Sequence, residues 1–159
     1  DVVLNPYASD YEMHNLAFMM AEFAKTGRSQ ILVDPVAAAD IHKYGIARLA
    51  DTQTIEKSDN NICFDVKGFV EKPAADAAPS NLAVVGRYVF DNAIFEYLAK
   101  TAPSVGGEIQ LTDAIDALIG TQGMDVVTMV GNSFDAGDMI SYMQAFVYFA
   151  DKLGVKSAN

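Results

Sequence analysis

Residues 15–35 read NLAFMMAEFAKTGRSQILVDP, and this stretch decides the fold class. Its first half places apolar side chains at positions 16, 19, 20 and 23, which lie on one face of a helix. Gly27 supplies a stop signal for that helix. The apolar run at 31–33, followed by Pro35, is typical of a strand that leaves toward a loop. A helix followed directly by a strand predicts a protein of the α/β kind.

The segments that follow this unit alternate between strand and helix patterns. Short strand candidates at 44–49, 61–66 and 68–71 are separated by polar turns, which predicts an antiparallel hairpin group. Further candidates are a buried strand at 82–90, helices at 91–100 and from 111 onward, and a strand at 124–130. This order predicts a mixed α/β domain with a parallel sheet as its body and a hairpin insert.

A final helix is predicted to start near Asp138 and to run to Leu153. Apolar residues recur along it at helical spacing, so we expect its apolar face to be buried. The residues of that face are Ile140, Met143, Phe146, Val147 and Ala150.

Composition and charge limit the possible functions. The chain has 159 residues, 51% of them hydrophobic, and a formal net charge of −10. The length fits one domain, and no linker or repeat divides it. Nucleic-acid binding is excluded because it depends on clustered Lys and Arg, and no basic run exists. No apolar run approaches the roughly 20 residues that cross a bilayer, so no membrane association is expected.

The single cysteine, Cys63, excludes an internal disulfide. The first residues carry neither a basic stretch nor a signal-like apolar block. We therefore expect a reducing compartment, the cytoplasm.

Glu71-Lys72-Pro73 ends one of the strand candidates. A carboxylate can accept hydrogen bonds from two sugar hydroxyls, and an adjacent ammonium can neutralise a phosphate. Neighbouring side chains in a strand point apart, but Pro73 forces a break here. Taken alone, the pattern favours a solvated ion pair over a binding site.

Phe134-Asp135-Ala136-Gly137-Asp138 lies where a strand turns into the last helix. Strand ends at one edge of a parallel sheet are where α/β proteins hold ligands, and an Asp there can bind magnesium. The alternative is a helix cap, which suits Asp138 better than Asp135. A glycine pair at 106–107 either wraps a ligand or forms an ordinary loop, and Thr112 is expected to cap the next helix.

Several segments together resemble one family. They are DVVL at 1–4, GRSQILV at 27–33, VEKP at 70–73, APSNLAVVGRYV at 78–89, GEIQLTDAI at 107–115 and YMQAFV at 142–147. In this order, and along essentially the whole chain, they are similar to bacterial UTP–glucose-1-phosphate uridylyltransferases. The run at 79–88 joined to EIQLTD at 108–113 favours this branch over thymidylyl and adenylyl relatives.

The resemblance implies a fold, a reaction and a set of site residues. The fold is a doubly wound, Rossmann-like α/β nucleotidyltransferase fold with a mixed sheet and a β-hairpin insert. The reaction forms UDP-glucose and pyrophosphate from UTP and glucose 1-phosphate, with magnesium as cofactor. Asp1 and Asp135 match the two acids that bind the metal. Glu71 matches the acid that grips the glucose hydroxyls, Lys72 the base that grips the sugar phosphate, and Gly45 a glycine whose backbone lines the sugar pocket. Lys72 and Asp135 are thus the expected catalytic residues.

Four further positions are implicated by the same resemblance. Asn81, Val84 and Val85 lie where the family lines its sugar pocket. Arg87 is either a structural cation or one that faces a phosphate, and the sequence leaves both open.

The family's glycine-rich loop, which cradles the nucleoside triphosphate, has no counterpart in this sequence. We therefore expect residues 1–159 to be the C-terminal, sugar-phosphate-binding part of a single nucleotidyltransferase domain, inactive by itself. Three alternatives stay open: a catalytically weak paralogue that acts as a regulatory subunit, a free-standing sugar-phosphate-binding fragment, and a relative that uses dTTP or ATP. The resemblance also implies a homo-oligomer, either a dimer or a tetramer.

Overall fold

The computed structural model describes residues 2–5, 14–50, 54–103 and 107–155, and every structural statement concerns these ranges. The strands are β1 (Val2–Asn5), β2 (Ser29–Pro35), β3 (Gly45–Leu49), β4 (Cys63–Glu71), β5 (Leu82–Val89), β6 (Met124–Thr128) and β7 (Asn132–Asp135). The α-helices are α1 (Asn15–Thr26), α2 (Ile94–Lys100), α3 (Leu111–Gln122) and α4 (Met139–Lys152). Short 3₁₀ helices span Ala38–Lys43 and Ala75–Ala77.

Five strands close into a barrel in the order β2-β5-β3-β4-β6. Within the described ranges only β2 and β6 run parallel, and the other neighbouring pairs are antiparallel. The expected mixed sheet is present, but the expectation that its body would be parallel is wrong for these strands. Apolar runs indicate burial and not direction, and a parallel pair needs a long crossover that few of these strands have.

The two strand candidates at 61–66 and 68–71 are one continuous strand, β4. Its pairing with β3 shifts register between Arg48 and Leu49, and Gly68 there has φ +144°. Glycine adopts this backbone conformation at low cost, so the strand passes through an irregularity instead of ending. Glu71 and Gly45 consequently lie opposite each other at the end of the β3–β4 ladder.

Among the described residues three apolar clusters hold the barrel and its helices together, and β2 contributes to two of them. Ile31 and Val33 of β2 pack in the larger cluster, with α2 and α3 over it. Leu32, between them, faces the other way and packs against Met19 of α1. This alternation is the period of a strand, and it buries both faces of β2. The predicted end of α1 is confirmed, since Gly27 caps it with φ +66°.

Helix α4 differs from its prediction. Asp138 caps its start by accepting hydrogen bonds from the backbone N–H groups of residues 140 and 141, as expected. The prediction that the apolar face of this helix is buried is wrong, because Ile140 is 73% exposed and Phe146 is 61% exposed. The helix packs on β7 through Phe134, whose ring lies 4.9 Å from that of Tyr148.

Thr112 lies inside α3, whose N-cap is Gln110, so the capping role expected of Thr112 is wrong. No helix within the described ranges has both the length and the apolar character that crossing a membrane requires.

Candidate functional site

Glu71 and Gly45 form the floor of a pocket at the end of the β3–β4 ladder. The two residues pair in the register of the antiparallel strands. A Cβ atom on Gly45 would lie 3.1 Å from Glu71 Oε2, closer than ordinary van der Waals contact. Glycine at this position therefore leaves the space in which the Glu71 carboxylate sits.

Lys72 adopts an unusual backbone conformation directly after this strand. Its φ is +46°, the only positive value at a non-glycine residue among those described. Its N–H donates to the Tyr44 carbonyl at 3.0 Å, which holds the turn. The ammonium then lies 3.8 Å from Glu71 Oε1, whereas continued extension would send the two side chains to opposite faces. Strained backbone of this kind, which costs about 1–3 kcal/mol, clusters at ligand sites.

The pocket that contains Glu71 has a volume of about 290 Å³. Gly45, Glu71, Val84 and Val85, all predicted from the sequence, line it together. Its volume is at the lower end of the range for ligand pockets, about 300–1,000 Å³. The structure therefore brings these four positions to one concave surface.

Asp135 lies in a second, smaller pocket next to the first. The two pockets share Tyr44, Val84 and Val85 as lining residues, so they lie side by side. The smaller one has a volume of about 40 Å³, and about 10–15 Å³ accommodates one water. It has room for a small ion with water and not for a hexose.

The hydrogen bonds around Asp135 leave it available to a ligand. Within the described ranges, its Oδ1 accepts from Gly137 N at 2.9 Å. Burial, together with the charge of Asp135, raises the pKa of Tyr44 above its usual value. The Tyr44 hydroxyl therefore stays protonated at neutral pH, and Tyr44 lines both pockets.

Asp34, at the end of β2, is a site residue that the sequence analysis missed. It is 7% exposed and lines the smaller pocket with Asp135. Its Oδ2 accepts from Ser133 Oγ at 2.6 Å. Lys57 Nζ lies 3.2 Å from Oδ1, as an ion pair without hydrogen-bond alignment. The sequence feature that could have identified Asp34 is an acidic residue at the end of an apolar strand, directly before Pro35.

Asn81 and Arg87 lie away from these two pockets. The Asn81 amide accepts a hydrogen bond from the Ile55 N–H and donates one to the Ile55 carbonyl, each at 2.8 Å. Asn81 lines a different pocket. The Arg87 guanidinium donates to the Val2 carbonyl at 3.1 Å, which ties β5 to β1. Lys43, which was not predicted, lines the Glu71 pocket and pairs with Asp40 at 2.6 Å.

The donor set suits a hard divalent cation. Asp34, Asp135, Tyr44 and Ser133, four residues with oxygen-bearing side chains, line one pocket together with apolar residues. No group of three or more His, Cys, Asp or Glu side chains with metal-binding geometry occurs in the part of the chain that the structure describes. Magnesium fits such a sparse set, since it keeps several waters and binds one or two carboxylates together with substrate phosphates. Asp1, the other predicted ligand, lies outside the described residues.

Comparison with known proteins places the chain in a family. The family model described as "Nucleotidyl transferase" matches residues 7–152. UTP–glucose-1-phosphate uridylyltransferase from Haemophilus influenzae is 46% identical over 97% of this chain and 52% of its own length. The chain spans about half the length of the curated relatives it matches.

Solved structures show the same relationship. UTP-bound UGPase from Acinetobacter baumannii superposes with a TM-score of 0.78 and 34% identity, over 95% of this chain and 48% of that one. A UDP-glucose pyrophosphorylase complexed with UDP-glucose gives 0.74 and 31%, over 91% of this chain and 52% of that one. The nucleotidyltransferase-type α/β fold and the resemblance predicted from the sequence are confirmed. The chain belongs to the nucleotidyl transferase family, and within it is similar to the UTP–glucose-1-phosphate uridylyltransferases.

Proposed function

We propose that the full-length protein transfers a uridylyl group from UTP to glucose 1-phosphate, giving UDP-glucose and pyrophosphate. The observation that carries this proposal is the placement of Glu71 in a sugar-sized pocket that adjoins the Asp135 pocket, with the Lys72 ammonium 3.8 Å from the Glu71 carboxylate. Relatives named for this reaction match 94% to 97% of the chain. Solved relatives hold UTP in one case and UDP-glucose in another.

Residues 1–159 form the sugar-phosphate-binding part of a single nucleotidyltransferase domain in this proposal. Their pockets provide the Glu71 carboxylate and a smaller space lined by Asp34 and Asp135, and none of the described residues forms a glycine-rich triphosphate loop. The proposal assigns nucleotide binding to the part of the protein outside these residues, since the chain covers only 52% of the length of one such relative. The cytoplasmic location and the homo-oligomer stay predictions from the sequence.

The sugar phosphate is held by two neighbouring side chains. The Glu71 carboxylate accepts hydrogen bonds from glucose hydroxyls, and the Lys72 ammonium neutralises the phosphate. Gly45 keeps the carboxylate in place, and Val84 and Val85 form the apolar wall. Asn81 and Arg87 support this arrangement from outside by fastening the chain at Ile55 and Val2.

Asp1 and Asp135 are the proposed protein ligands of magnesium. When bound, the ion would neutralise charge on the phosphates. The position of Asp135, in a small pocket that shares its wall with the Glu71 pocket, supports this assignment.

The chemistry needs no nucleophilic side chain. A phosphate oxygen of glucose 1-phosphate attacks the α-phosphorus of UTP, the bond to the bridging oxygen breaks in line, and pyrophosphate leaves. The residues of this chain align the attacking phosphate and neutralise its charge, which are the main sources of acceleration in phosphoryl transfer.

The test measures pyrophosphate release by the full-length protein with UTP, dTTP and ATP, each with glucose 1-phosphate. We expect turnover with UTP, and a fall on the order of 100-fold in kcat/KM for Glu71→Gln and Lys72→Ala. Lys67→Ala is the matched control, because Lys67 is an exposed lysine of the same strand, paired with Asp65. Preference for dTTP or ATP, absence of turnover, or equal losses in the control would overturn the proposal.

A further inference from the structure

Strand β7 carries Asp135 but does not belong to the barrel that carries Glu71. It pairs with β1, from Val2 opposite Asp135 to Asn5 opposite Asn132. Hydrogen bonds of the barrel ladder therefore do not fix where Asp135 lies relative to the sugar pocket. Another contact has to link the two.

Asp34 and Ser133 supply a side-chain link between the barrel and β7. Ser133 Oγ donates to Asp34 Oδ2 at 2.6 Å, and the two residues are 99 positions apart in sequence. Ser133 and Asp135 are two residues apart in one strand, so their side chains project to the same face. Both of them, with Asp34, line the same small pocket. The hydrogen bond thus holds the face of β7 on which Asp135 lies.

The charge of Asp34 adds to this role. A buried carboxylate is costly unless it is paired, and a neutral side chain could accept the Ser133 hydrogen bond without that cost. Lys57 offsets the charge from 3.2 Å, but no described residue gives Oδ1 an aligned hydrogen-bond donor. A second carboxylate in the pocket of Asp135 makes its potential more negative, which favours a cation there.

We propose that Asp34 is a positioning residue: through Ser133 it fixes Asp135 in the small pocket, and its charge prepares that pocket for a divalent cation. The inference rests on the proposed function. It concerns a residue that need not touch the sugar or the nucleotide. Residues that orient metal ligands in this way typically alter metal affinity or activity by 10–100-fold when they are replaced.

The test uses the full-length protein with Ser133→Ala, Asp34→Ala and Asp34→Asn. Ser80→Ala is the control, because Ser80 is 6% exposed and its hydroxyl donates to the Ala47 carbonyl at 2.6 Å, within the barrel. Three properties are measured: hydrogen exchange of the β7 amides, Mn²⁺ affinity by calorimetry, and steady-state kinetics.

We expect Ser133→Ala and Asp34→Ala to accelerate exchange in β7, and to lower Mn²⁺ affinity and kcat by about 10-fold or more. KM for glucose 1-phosphate should change less than threefold, since Glu71 and Lys72 lie at the end of a barrel strand. Asp34→Asn should preserve slow exchange, because an amide oxygen still accepts from Ser133, yet lose Mn²⁺ affinity with the charge. Ser80→Ala should leave all three properties of the site unchanged.

Two results would overturn the positioning role. One is unchanged β7 exchange in Ser133→Ala, which would mean that the hydrogen bond anchors nothing. The other is faster exchange with Mn²⁺ affinity and kcat within twofold of wild type, which would reduce Asp34 to a structural anchor. A wild-type protein without UDP-glucose formation would instead refute the proposed function, and exchange and Mn²⁺ binding would still decide the positioning role.

Discussion

Replacing Lys72 by glycine and by alanine distinguishes the effect of its strained backbone on stability from the effect of its ammonium on activity. The positive φ of Lys72, +46°, costs a non-glycine residue about 1–2 kcal/mol, and glycine escapes this cost. Glycine also gives the unfolded chain more freedom, which costs about 0.4–1 kcal/mol in stability. We therefore expect Lys72→Gly to raise the free energy of unfolding by about 0.5–1 kcal/mol, because the relief of backbone strain exceeds the cost of the greater entropy of the unfolded chain.

Lys72→Ala should leave stability nearly unchanged, because alanine keeps the strain. The lysine side chain is 62% exposed, and its 3.8 Å ion pair with Glu71 is exposed as well. Exposed pairs of this kind contribute about 0–1 kcal/mol. Both variants lose the ammonium, so both should lose activity with glucose 1-phosphate to the same extent.

The assay is thermal unfolding of the full-length protein with kinetics on the same samples. Lys67 is the control position, since it lies inside β4, where glycine should be less stable than alanine by about 0.5–1 kcal/mol. The sign of the glycine–alanine difference should therefore reverse between positions 72 and 67. If Lys72→Gly unfolds at or below the temperature of Lys72→Ala, the strain argument is wrong. If either variant keeps wild-type kinetics, the phosphate role of Lys72 is wrong.

Three other predictions follow from contacts in the structure. Gly45→Ala should raise KM for glucose 1-phosphate by about 10-fold with little change in Tm, because its Cβ would meet the Glu71 carboxylate at 3.1 Å; an unchanged KM would contradict the shared pocket floor. Arg28→Met should lower the free energy of unfolding, measured in urea, by about 2 kcal/mol, because it removes the guanidinium that donates to the largely buried Asp125 carboxylate at 3.0 Å. A decrease below about 0.5 kcal/mol would contradict this expectation. Cys63 is exposed, but partial desolvation of its thiol, with the nearby charges of Glu22 and Asp125, raises its pKa to about 11. The thiol should therefore react slowly with iodoacetamide at pH 8 and faster only as the pH rises toward about 11; rapid alkylation at pH 8 would refute it.

The predicted helices and strands were confirmed where their signal is local. Helix α1 with its glycine stop, and α4 with Asp138 as its cap, follow from spacing and capping residues within one or two turns. The apolar face of α4 shows the limit of that signal. A helical repeat identifies a face that can be buried, but it does not identify what lies against it.

For the candidate site as well, the sequence pointed to residues in contiguous motifs and not to a residue whose partner is distant along the chain. Glu71, Lys72 and Gly45 were predicted as site residues because the resemblance rests on short contiguous motifs. The structure places Gly45 and Glu71 in one pocket and Lys72 3.8 Å from Glu71, and their roles stay predictions. Asp34 was missed because its partner is Ser133, 99 residues away, and neither residue stands out in its own segment. Asn81 was identified from its motif, but its amide bonds to the backbone of Ile55.

The sequence by itself determined the family and the order of most helices and strands, and it singled out Glu71 and Lys72 as the candidate sugar-phosphate residues. These properties depend on residues that are neighbours along the chain. Only the tertiary structure decided that the barrel strands pair mostly antiparallel, that Lys72 turns back toward Glu71, and that Ser133 on the strand of Asp135 donates to Asp34. Each of these depends on the direction or approach of distant segments, which packing of the whole domain sets and no local pattern encodes.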